Sequence, residues 1–167
     1  GTLTITLAEI KIGKYCLITP GVRIMAAEKI FIGHSCMIAH GAYISDADWH
    51  DIYDRAEPVG KTKPIIIEDN VWIGDSAIIC KGVKIGRNSI IGAGSVVTKN
   101  VPQNCVYAGN PAVLVKKLDQ KEFNARKDFY KDPLKLSSDF DLLDKHSLKN
   151  NTFLNWLKSI FFPDRNH

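Results

Sequence analysis

The sequence predicts an all-β solenoid, a parallel β-helix built from hexapeptide repeats, and three observations carry that prediction. Aliphatic residues recur at every sixth position from Ile67 to Val97. The residue four places after each of them is small or β-branched, and glycine directly follows several of them. A sustained six-residue period fits neither a helix nor an alternating strand, whereas a hexapeptide β-helix produces it. The aliphatic positions are Ile67, Ile73, Ile79, Ile85, Ile91 and Val97, and the small or β-branched positions are Val71, Ala77, Val83, Ser89, Ser95 and Val101.

The repeat also predicts how the coils stack. Three hexapeptides close one triangular coil of 18 residues, so residues 67–84 and 85–102 form two complete coils. Strands of successive coils lie about 4.8 Å apart, which places Ile67 directly beneath Ile85. We therefore expect every aliphatic residue of the pattern to pack in the core of the column.

The same register continues upstream with one irregularity. Two further triplets of isoleucine keep the six-residue spacing, but the step from Ile24 to Ile32 is eight residues, a slip of two. The first residues already have strand character, which we interpret as a sign that upstream sequence is missing. The two triplets are Ile12, Ile18 and Ile24, and Ile32, Ile38 and Ile44.

A long insertion interrupts the repeat at the stretch SDADWHDIYDR. From Ile44 to Ile67 the chain takes 23 residues where one step needs 6, so about 17 residues leave the column, and we place this loop at about residues 45–66. Long loops on rigid scaffolds often carry function. His50 is the only histidine in the loop, and an imidazole with a pKa near neutrality suits a general base.

The composition is that of a globular protein with a modest positive charge. Hydrophobic residues make up 45% of the chain and the formal net charge is +4, with cations and anions interspersed. A nucleic-acid duplex normally requires a basic face, so nucleic acid is not an expected partner, whereas a small anionic ligand is compatible. The four cysteines form no C-x-x-C pair, which favours reduced core thiols. We find no signal peptide and no apolar run of bilayer length, and we expect a cytoplasmic protein.

The motifs VWIG, IGAGSVVTK and AGNPA occur in this order within residues 65–118. Together with the repeat, they resemble the left-handed β-helix acyltransferases, in the branch of the maltose and galactoside O-acetyltransferases and the polysaccharide O-acetyltransferases. The resemblance implies a left-handed solenoid, a homotrimer, and acetyl-CoA in the cleft between two neighbouring prisms. It also implies direct transfer to a hydroxyl or an amine, without an acyl-enzyme. Family members carry their catalytic histidine in an extended loop at this point of the coil, where His50 stands.

The resemblance also indicates an acetyl-CoA site. It implies residues whose main chain or hydroxyl meets the pantetheine arm, residues that line the same cleft, and lysines near the phosphates. For each lysine, plain solvent exposure is the alternative. In that order the candidates are Ala93 and Thr98, then Trp72 and Gly74, then Lys99 and Lys116, with Lys117 as a further candidate.

Other loop residues are candidates for orienting His50 or for binding the acceptor. The second ring nitrogen of His50 needs a partner, either a nearby carboxylate or a backbone carbonyl. Trp49 is either a lid beside the acceptor or a packing anchor between subunits. Arg55 either binds an acidic acceptor or pairs with a loop carboxylate, and we favour the pairing. The carboxylates considered for His50 are Asp46, Asp48 and Asp51, those for Arg55 are Asp54 and Glu57, and the candidate substrate-binding residues are Asp48, Trp49 and Arg55.

Four positions bear on the acceptor and on metal binding. Gly21 stands where relatives acting on simple sugars carry an asparagine, which leaves the acceptor open. Asp75 stands where they often carry a serine, which leaves oxyanion stabilisation to backbone N–H groups. His34 and His40 occupy equivalent positions in consecutive hexapeptides, so they lie on different faces and do not chelate one ion within a chain. We predict no metal, and zinc between chains, as in the γ-class carbonic anhydrases, is the alternative.

The six-residue period ends after Leu118, and helix signals follow. We assign residues 1–112 to the β-helix domain and residues 113–167 to a helical extension. One predicted helix opens with an Asp-x-x-Glu capping pattern at Asp119 and stops at Pro133. The second lies in NTFLNWLKSIFFP and is too short to span a bilayer. Its apolar face packs on the prism or across the trimer, which we favour, or makes peripheral contact with a membrane near a lipid-linked glycan.

These observations predict an acetyl-CoA-dependent O-acetyltransferase acting on a sugar or a surface-polysaccharide precursor, with His50 as general base. N-acetylation of an amino sugar is the alternative, because the same base and cleft would serve an amine. Two rivals come from other classes: a γ-carbonic-anhydrase-like zinc protein and a non-catalytic solenoid that serves as an assembly subunit.

Overall fold

The hexapeptides form short strands separated by tight corners. The computed structural model describes residues 7–119, 126–128 and 130–161. The chain divides into two units, Gly1–Lys127 and Asp128–His167. In the described part of the first unit the strands are β1 (Glu9–Ile12), β2 (Leu17–Ile18), β3 (Arg23–Met25), β4 (Lys29–Ile32), β5 (Met37–Ile38), β6 (Tyr43–Ser45), β7 (Ile65–Ile67), β8 (Trp72–Ile73), β9 (Ile78–Ile79), β10 (Lys84–Ile85), β11 (Ile90–Ile91), β12 (Val96–Val97), β13 (Cys105–Ala108) and β14 (Val113–Lys117).

Each coil contributes one strand to each of three sheets, which enclose a triangular prism. The first sheet has the order β1-β4-β7-β10, the second β14-β13-β11-β8-β5-β2 and the third β12-β9-β6-β3. Neighbouring strands are parallel, except that β14 runs antiparallel to β13. We call the corner between the first and second sheets the first edge, that between the second and third sheets the second edge, and that between the third and first sheets the third edge. The predicted parallel β-helix is confirmed.

The core is the column that the six-residue pattern predicts. Ile67 pairs with Ile85 in the first sheet, as expected. The small register is buried as well, and its two serines satisfy their hydroxyls on the backbone: the Ser89 hydroxyl donates to the Pro102 carbonyl at 2.7 Å. The buried residues of the two registers are Ile67, Val71, Ile73, Ala77, Ile79, Val83, Ile85, Ser89, Ile91, Ser95, Val97 and Val101.

The first coil departs from this expectation. Ile12 and Ile18 are 46% and 39% exposed, so the prediction that they are core residues is wrong for this chain. Their strands, β1 and β2, are the outermost described strands of the first and second sheets and have a neighbour on one side only. An inward-pointing side chain needs a coil above and below to be covered, and among residues 7–119 these two have a coil on one side only.

The helical extension differs from its prediction in one helix and agrees in the other. Within the segment from Asp119 to Pro133 that is predicted as a helix, residues 120–125 and 129 lie outside the described residues, and Arg126–Asp128 form a single 3-10 turn. Pro133 begins helix α1 (Pro133–Leu148), which the sequence reasoning missed, because proline is tolerated in a first helical turn. The Asp132 side chain caps α1 by accepting from the Lys135 N–H at 3.0 Å. Helix α2 (Phe153–Phe161) is confirmed.

Two further observations concern the extension. Residues 113–117, which the sequence assigned to the helical part, form strand β14 and so continue the second sheet. The boundary after residue 112 stays a prediction.

Among the described residues, no helix combines the length and the apolar character needed to cross a membrane. Helix α2 exposes Phe153, Leu154, Trp156, Ile160 and Phe161.

The cysteines are free thiols, as expected. Cys36 is buried, and its thiol donates to the Glu68 carbonyl at 3.2 Å. Burial raises the pKa of Cys36 from its ordinary value of 9.0 to about 12. Burial likewise raises the pKa of Cys80, so neither thiol forms a ready thiolate near neutral pH.

Candidate active site

The inserted loop leaves the prism at the third edge, between β6 and β7. We call residues 46–64 the long loop. Its two arms pair at the base: the Asp48 N–H donates to the Lys61 carbonyl at 2.9 Å, and the Gly60 N–H donates to the Asp48 carbonyl at 2.7 Å. The Lys63 N–H donates to the Asp46 carbonyl at 2.8 Å. The loop is therefore held at its base by backbone hydrogen bonds before its tip extends into solvent.

His50 lies in this loop and is exposed. Its Nδ1 lies 3.3 Å from the backbone carbonyl of Glu57. A carbonyl oxygen only accepts hydrogen bonds, so the matching tautomer carries its proton on Nδ1 and leaves the Nε2 lone pair free. Of the two kinds of partner that the sequence left open for His50, the structure has the backbone carbonyl.

Asp46 is engaged far from the imidazole. Its carboxylate is fully buried and accepts hydrogen bonds from the N–H groups of Ala27, Glu28 and Lys29 at 2.7, 2.9 and 2.6 Å. Ala27 and Glu28 lie in the turn at which the repeat slips by two positions, and Lys29 begins β4 directly after it. Asp46 therefore caps an irregular corner of the coil, and as an orienting partner of His50 it was a wrong candidate.

The other two carboxylates also have partners elsewhere. Asp48 forms an ion pair with Lys81 of the next coil, with 2.5 Å between Oδ1 and Nζ. Asp51 accepts from the N–H groups of Tyr53 and Asp54 at 2.8 and 3.1 Å, and hydrogen bonds from Asp54 and Tyr53 lower the pKa of the Asp51 carboxyl. Neither carboxylate contacts His50, so both were wrong candidates for its orienting partner.

Trp49 packs against its own prism. Its indole N–H lies 3.1 Å from the Tyr43 hydroxyl and 3.0 Å from the Ser45 hydroxyl, and both accept from it. The Arg23 guanidinium lies 4.8 Å from the centroid of the Tyr43 ring, which is cation–π distance. The outer face of the third sheet beside the loop thus carries an aromatic surface with one cation.

Arg55 is exposed near the tip of the long loop. Within residues 7–119 it forms no ion pair, so the pairing with Asp54 or Glu57 that the sequence favoured is not present. The Asp54 side chain instead accepts from the Ala56 N–H at 3.0 Å. A guanidinium without an internal carboxylate is available to an anionic group of a ligand.

The candidate acetyl-CoA residues lie at two parts of the prism. Trp72 is 45% exposed on the outer face of the second sheet, and Gly74 and Ala93 follow each other at the second edge in successive coils. A Cβ on Gly74 would lie 2.6 Å from the Ala93 nitrogen, so the two corners stack only because residue 74 is glycine. Lys116 is exposed on β14, at the end of the second sheet.

Thr98 and Lys99 lie on the third edge, above the corner that contains Lys81, and both are exposed. They share this edge with the long loop and therefore with His50. A single chain brings Thr98 and Lys99 to the edge that bears the loop, but it does not bring Trp72, Gly74 or Ala93 there. The prism turns one corner between the two groups.

His34 and His40 lie on different edges, as predicted, and each contacts the preceding coil. The Lys14 N–H donates to His34 Nδ1 at 2.8 Å, and His40 Nδ1 lies 2.7 Å from the Pro20 carbonyl. In the part of the chain that the structure describes, no three metal-binding side chains converge. Both imidazoles thus have structural partners.

Gly21, one coil before the loop, lies close to the His40 ring. The Gly21 backbone has a φ of +78°, and a Cβ there would lie 2.8 Å from His40 Cε1. An asparagine at this position would face both the left-handed backbone and the imidazole. A side chain at residue 21 would therefore require the His40 ring to move.

Sequence reasoning missed several residues that hold the loop, namely Tyr43, Ser45, Glu57, Gly60 and Lys81. A signal for Lys81 was present in the repeat. Ile44 pairs with Ile79 in the third sheet, so the residue two places after Ile79 lies over the start of the loop. That residue is Lys81, opposite an acidic stretch.

The repeat region of the chain is similar to known proteins. Residues 64–99 match the family model of the bacterial transferase hexapeptide (six repeats). A galactoside O-acetyltransferase of Lactococcus lactis is 38% identical over 96 residues, which cover 56% of this chain and 46% of that protein. A 2,3,4,5-tetrahydropyridine-2,6-dicarboxylate N-acetyltransferase of Clostridium perfringens is 54% identical over 65 residues, 39% of this chain and 27% of that protein.

A solved structure agrees with the fold. A hexapeptide-repeat containing acetyltransferase from Vibrio cholerae O1 biovar eltor, complexed with acetyl coenzyme A, superposes with a TM-score of 0.62 at 35% identity, over 66% of this chain and 61% of that one. The structural neighbours are left-handed β-helices, so the predicted hand is confirmed. This chain spans about half the length of the relatives it matches by sequence, or less.

Proposed function

Because its repeat region carries the hexapeptide repeat of bacterial transferases, we propose that this protein is an acetyl-CoA-dependent O-acetyltransferase. The proposed acceptor is a hydroxyl of a sugar or of a surface-polysaccharide precursor, and His50 is the general base. The hydrogen bond between His50 Nδ1 and the Glu57 carbonyl carries this proposal. It holds an exposed imidazole in the tautomer whose Nε2 accepts a proton, on the one long loop that interrupts the described coils.

The reaction is a direct transfer. The acceptor oxygen attacks the thioester carbonyl while its proton moves to His50 Nε2. The carbon–sulfur bond then breaks, and the sulfur of coenzyme A leaves as thiolate and takes up the proton. General base catalysis of this kind supplies about 10² to 10⁴ in rate.

The donor site is proposed at the second edge and its neighbouring surface. Ala93 is exposed, and within residues 7–119 its N–H donates to no acceptor, so it is available to an amide carbonyl of the pantetheine arm. Trp72 presents an exposed ring on the adjoining sheet. Thr98, Lys99 and Lys116 are exposed and suit the rest of the arm and the phosphates.

A homotrimer would complete the site. In one chain His50 leaves the third edge, whereas Gly74 and Ala93 lie at the second edge. A second copy whose second edge faced the long loop would bring donor and base together. The half-exposed apolar side chains of the second sheet, Leu17, Trp72 and Leu114, support such a contact.

N-acetylation is the second candidate function. The relative of highest identity named above is an N-acetyltransferase, at 54% over 65 residues. An amine acceptor needs the same removal of a proton as the bond forms, so His50 would serve it without change. We favour the hydroxyl because the longer sequence match, over 96 residues, is to a galactoside O-acetyltransferase.

The cytoplasm is the proposed location, where free thiols persist. For helix α2 we propose packing on the protein, with peripheral contact to a membrane as the alternative. The exposed aromatic side chains of α2 are compatible with either.

Calorimetric titration with acetyl-CoA tests the proposal, because it needs no knowledge of the acceptor. We expect saturable binding near one per subunit, followed by acetylation of one member of a panel of sugars and their amino analogues. Failure of an intact oligomer to bind acetyl-CoA would reject the enzyme. Measurement of bound zinc and of assembly partners would then distinguish the two rival classes.

A further inference from the structure

An ion pair joins the long loop to the coil above it. The Lys81 Nζ lies 2.5 Å from Asp48 Oδ1, and the two side chains are 32% and 35% exposed. Lys81 follows β9 at the third edge, whereas Asp48 lies two residues before His50 in the chain. The pair therefore connects the rigid column to the segment that bears the imidazole.

The main chain of Asp48 contacts both arms of the long loop. Its N–H donates to Lys61 and its carbonyl accepts from Gly60, so its main chain joins the two arms of the loop. A Cβ on Gly60 would overlap the carbonyl oxygen of His50. The outgoing arm thus lies in van der Waals contact with the His50 backbone.

The other end of the ion pair is fixed. The N–H of Gly82, the residue after Lys81, donates to the Lys63 carbonyl at 2.8 Å. A Cβ on Gly82 would overlap the side chain of Lys63, so this corner packs directly against the end of the loop. Val83, the next residue, is buried in the core.

We propose that Lys81 is a positioning residue for His50 and that it acts through Asp48. This inference rests on the proposed function and changes one part of it. Asp48, predicted as a substrate ligand, is instead a structural partner whose carboxylate is occupied by Lys81. The pair holds the base of the loop, and with it His50, at a fixed distance from the prism where the acceptor is attacked.

The test compares variants of the ion pair with a control by kinetics and by hydrogen exchange of the long loop. Lys81→Met keeps the length of the side chain and removes the charge, and Lys81→Arg keeps the charge. Lys84→Met is the matched control, since it removes a comparable ion pair, 2.7 Å from Nζ to Glu68, on another face of the prism. Asp48→Asn, alone and combined with Lys81→Met, completes a double-mutant cycle.

We expect Lys81→Met to lower kcat by about 10-fold or more with an unchanged KM for acetyl-CoA, because small misplacements of a catalytic group are costly. Exchange of the amides in residues 47–62 should quicken by about two- to fivefold, the effect of losing a partly exposed ion pair. Lys81→Arg should restore most of both, and Lys84→Met should change neither. The double variant should be no worse than the poorer single variant.

Three results would overturn the proposal. Wild-type kcat in Lys81→Met is one, whether or not exchange changes, because the pair would then not position His50. Unchanged loop exchange is another, and equal effects from Lys84→Met are the third. The exchange experiment needs no substrate, so if the wild-type protein transfers no acetyl group, the proposed function fails while the exchange rates still decide whether Lys81 holds the loop.

Discussion

The Asp46 carboxylate accepts a hydrogen bond from the backbone N–H of Lys29 at 2.6 Å. This contact joins two irregularities of the repeat that are separate in the sequence. Lys29 begins β4 directly after the turn where the register slips by two residues, and Asp46 is the first residue of the long loop. A corner with extra residues exposes N–H groups that no strand accepts, and a buried carboxylate from the next coil satisfies them.

Replacement of Asp46 by alanine should therefore destabilise the fold. Three backbone N–H groups would lose an acceptor that is charged and fully buried, and we expect the free energy of unfolding to fall by about 3 kcal/mol or more. Urea denaturation of the two proteins measures it. Asp54→Ala, which removes an exposed carboxylate with a single local hydrogen bond, should cost less than about 1 kcal/mol. Equal losses in both variants would contradict the account of Asp46.

His50→Ala should abolish most of the proposed turnover. Loss of the general base predicts a decrease in kcat of about 10² to 10⁴, with acetyl-CoA affinity and oligomeric state unchanged. Steady-state kinetics and calorimetry measure these quantities. His146→Ala, in an exposed position of α1, is the control and should behave as wild type. Near wild-type turnover in His50→Ala would require a different base.

The column of the core should be sensitive along its middle and tolerant at its open end. Ile73→Ala removes a fully buried side chain, and we expect a loss of about 2 to 5 kcal/mol in the free energy of unfolding. Ile12→Ala makes the same chemical change at a residue that is 46% exposed and should cost about half as much or less. Denaturant titration of both variants checks this, and a larger loss at Ile12 would show that its surroundings are covered in solution.

Because of Cys36, the free energy of unfolding should decrease at alkaline pH. Its pKa is raised to about 12 in the folded protein from an ordinary value of 9.0, so above pH 9 the thiol ionises in the unfolded chain only. The contribution of the protonated Cys36 thiol to the free energy of unfolding is fully present below pH 9 and is lost as pH rises toward 12. At pH 10 the free energy of unfolding is lower by about 1 kcal/mol for this reason.

Comparison with Cys36→Ala isolates the effect, since the other titrating groups are common to both proteins. The difference in unfolding free energy between the two should shrink by about that amount from pH 7 to pH 10. In the folded protein Cys36 should also be the slowest thiol to react with a disulfide reagent. A pH-independent difference would mean that Cys36 is not protected from ionisation.

Much of the fold was predictable because the repeat is local and redundant. Ile67, Ile85 and their equivalents occupy the same position in successive hexapeptides, and each of these positions has the same surroundings. The register, the stacking of the coils and the position of the loop therefore follow from the spacing of the aliphatic residues. The helical extension was harder to predict, because a proline such as Pro133 ends one helix and begins another with equal ease. Ile12 misled for a different reason, since burial depends on a coil on each side.

The sequence by itself determined the solenoid, its pairing register, the site of the insertion and the one histidine within it, because these depend on spacing along the chain. The tertiary structure alone decided which partner each loop residue has. Three aspartates within six residues are alike in sequence, yet Asp46 caps a distant turn, Asp48 pairs with Lys81 and Asp51 accepts from the backbone N–H groups of the residues that follow it. Hydrogen-bond partners depend on where coils 17 to 33 residues apart come into register, and stacking in three dimensions fixes that.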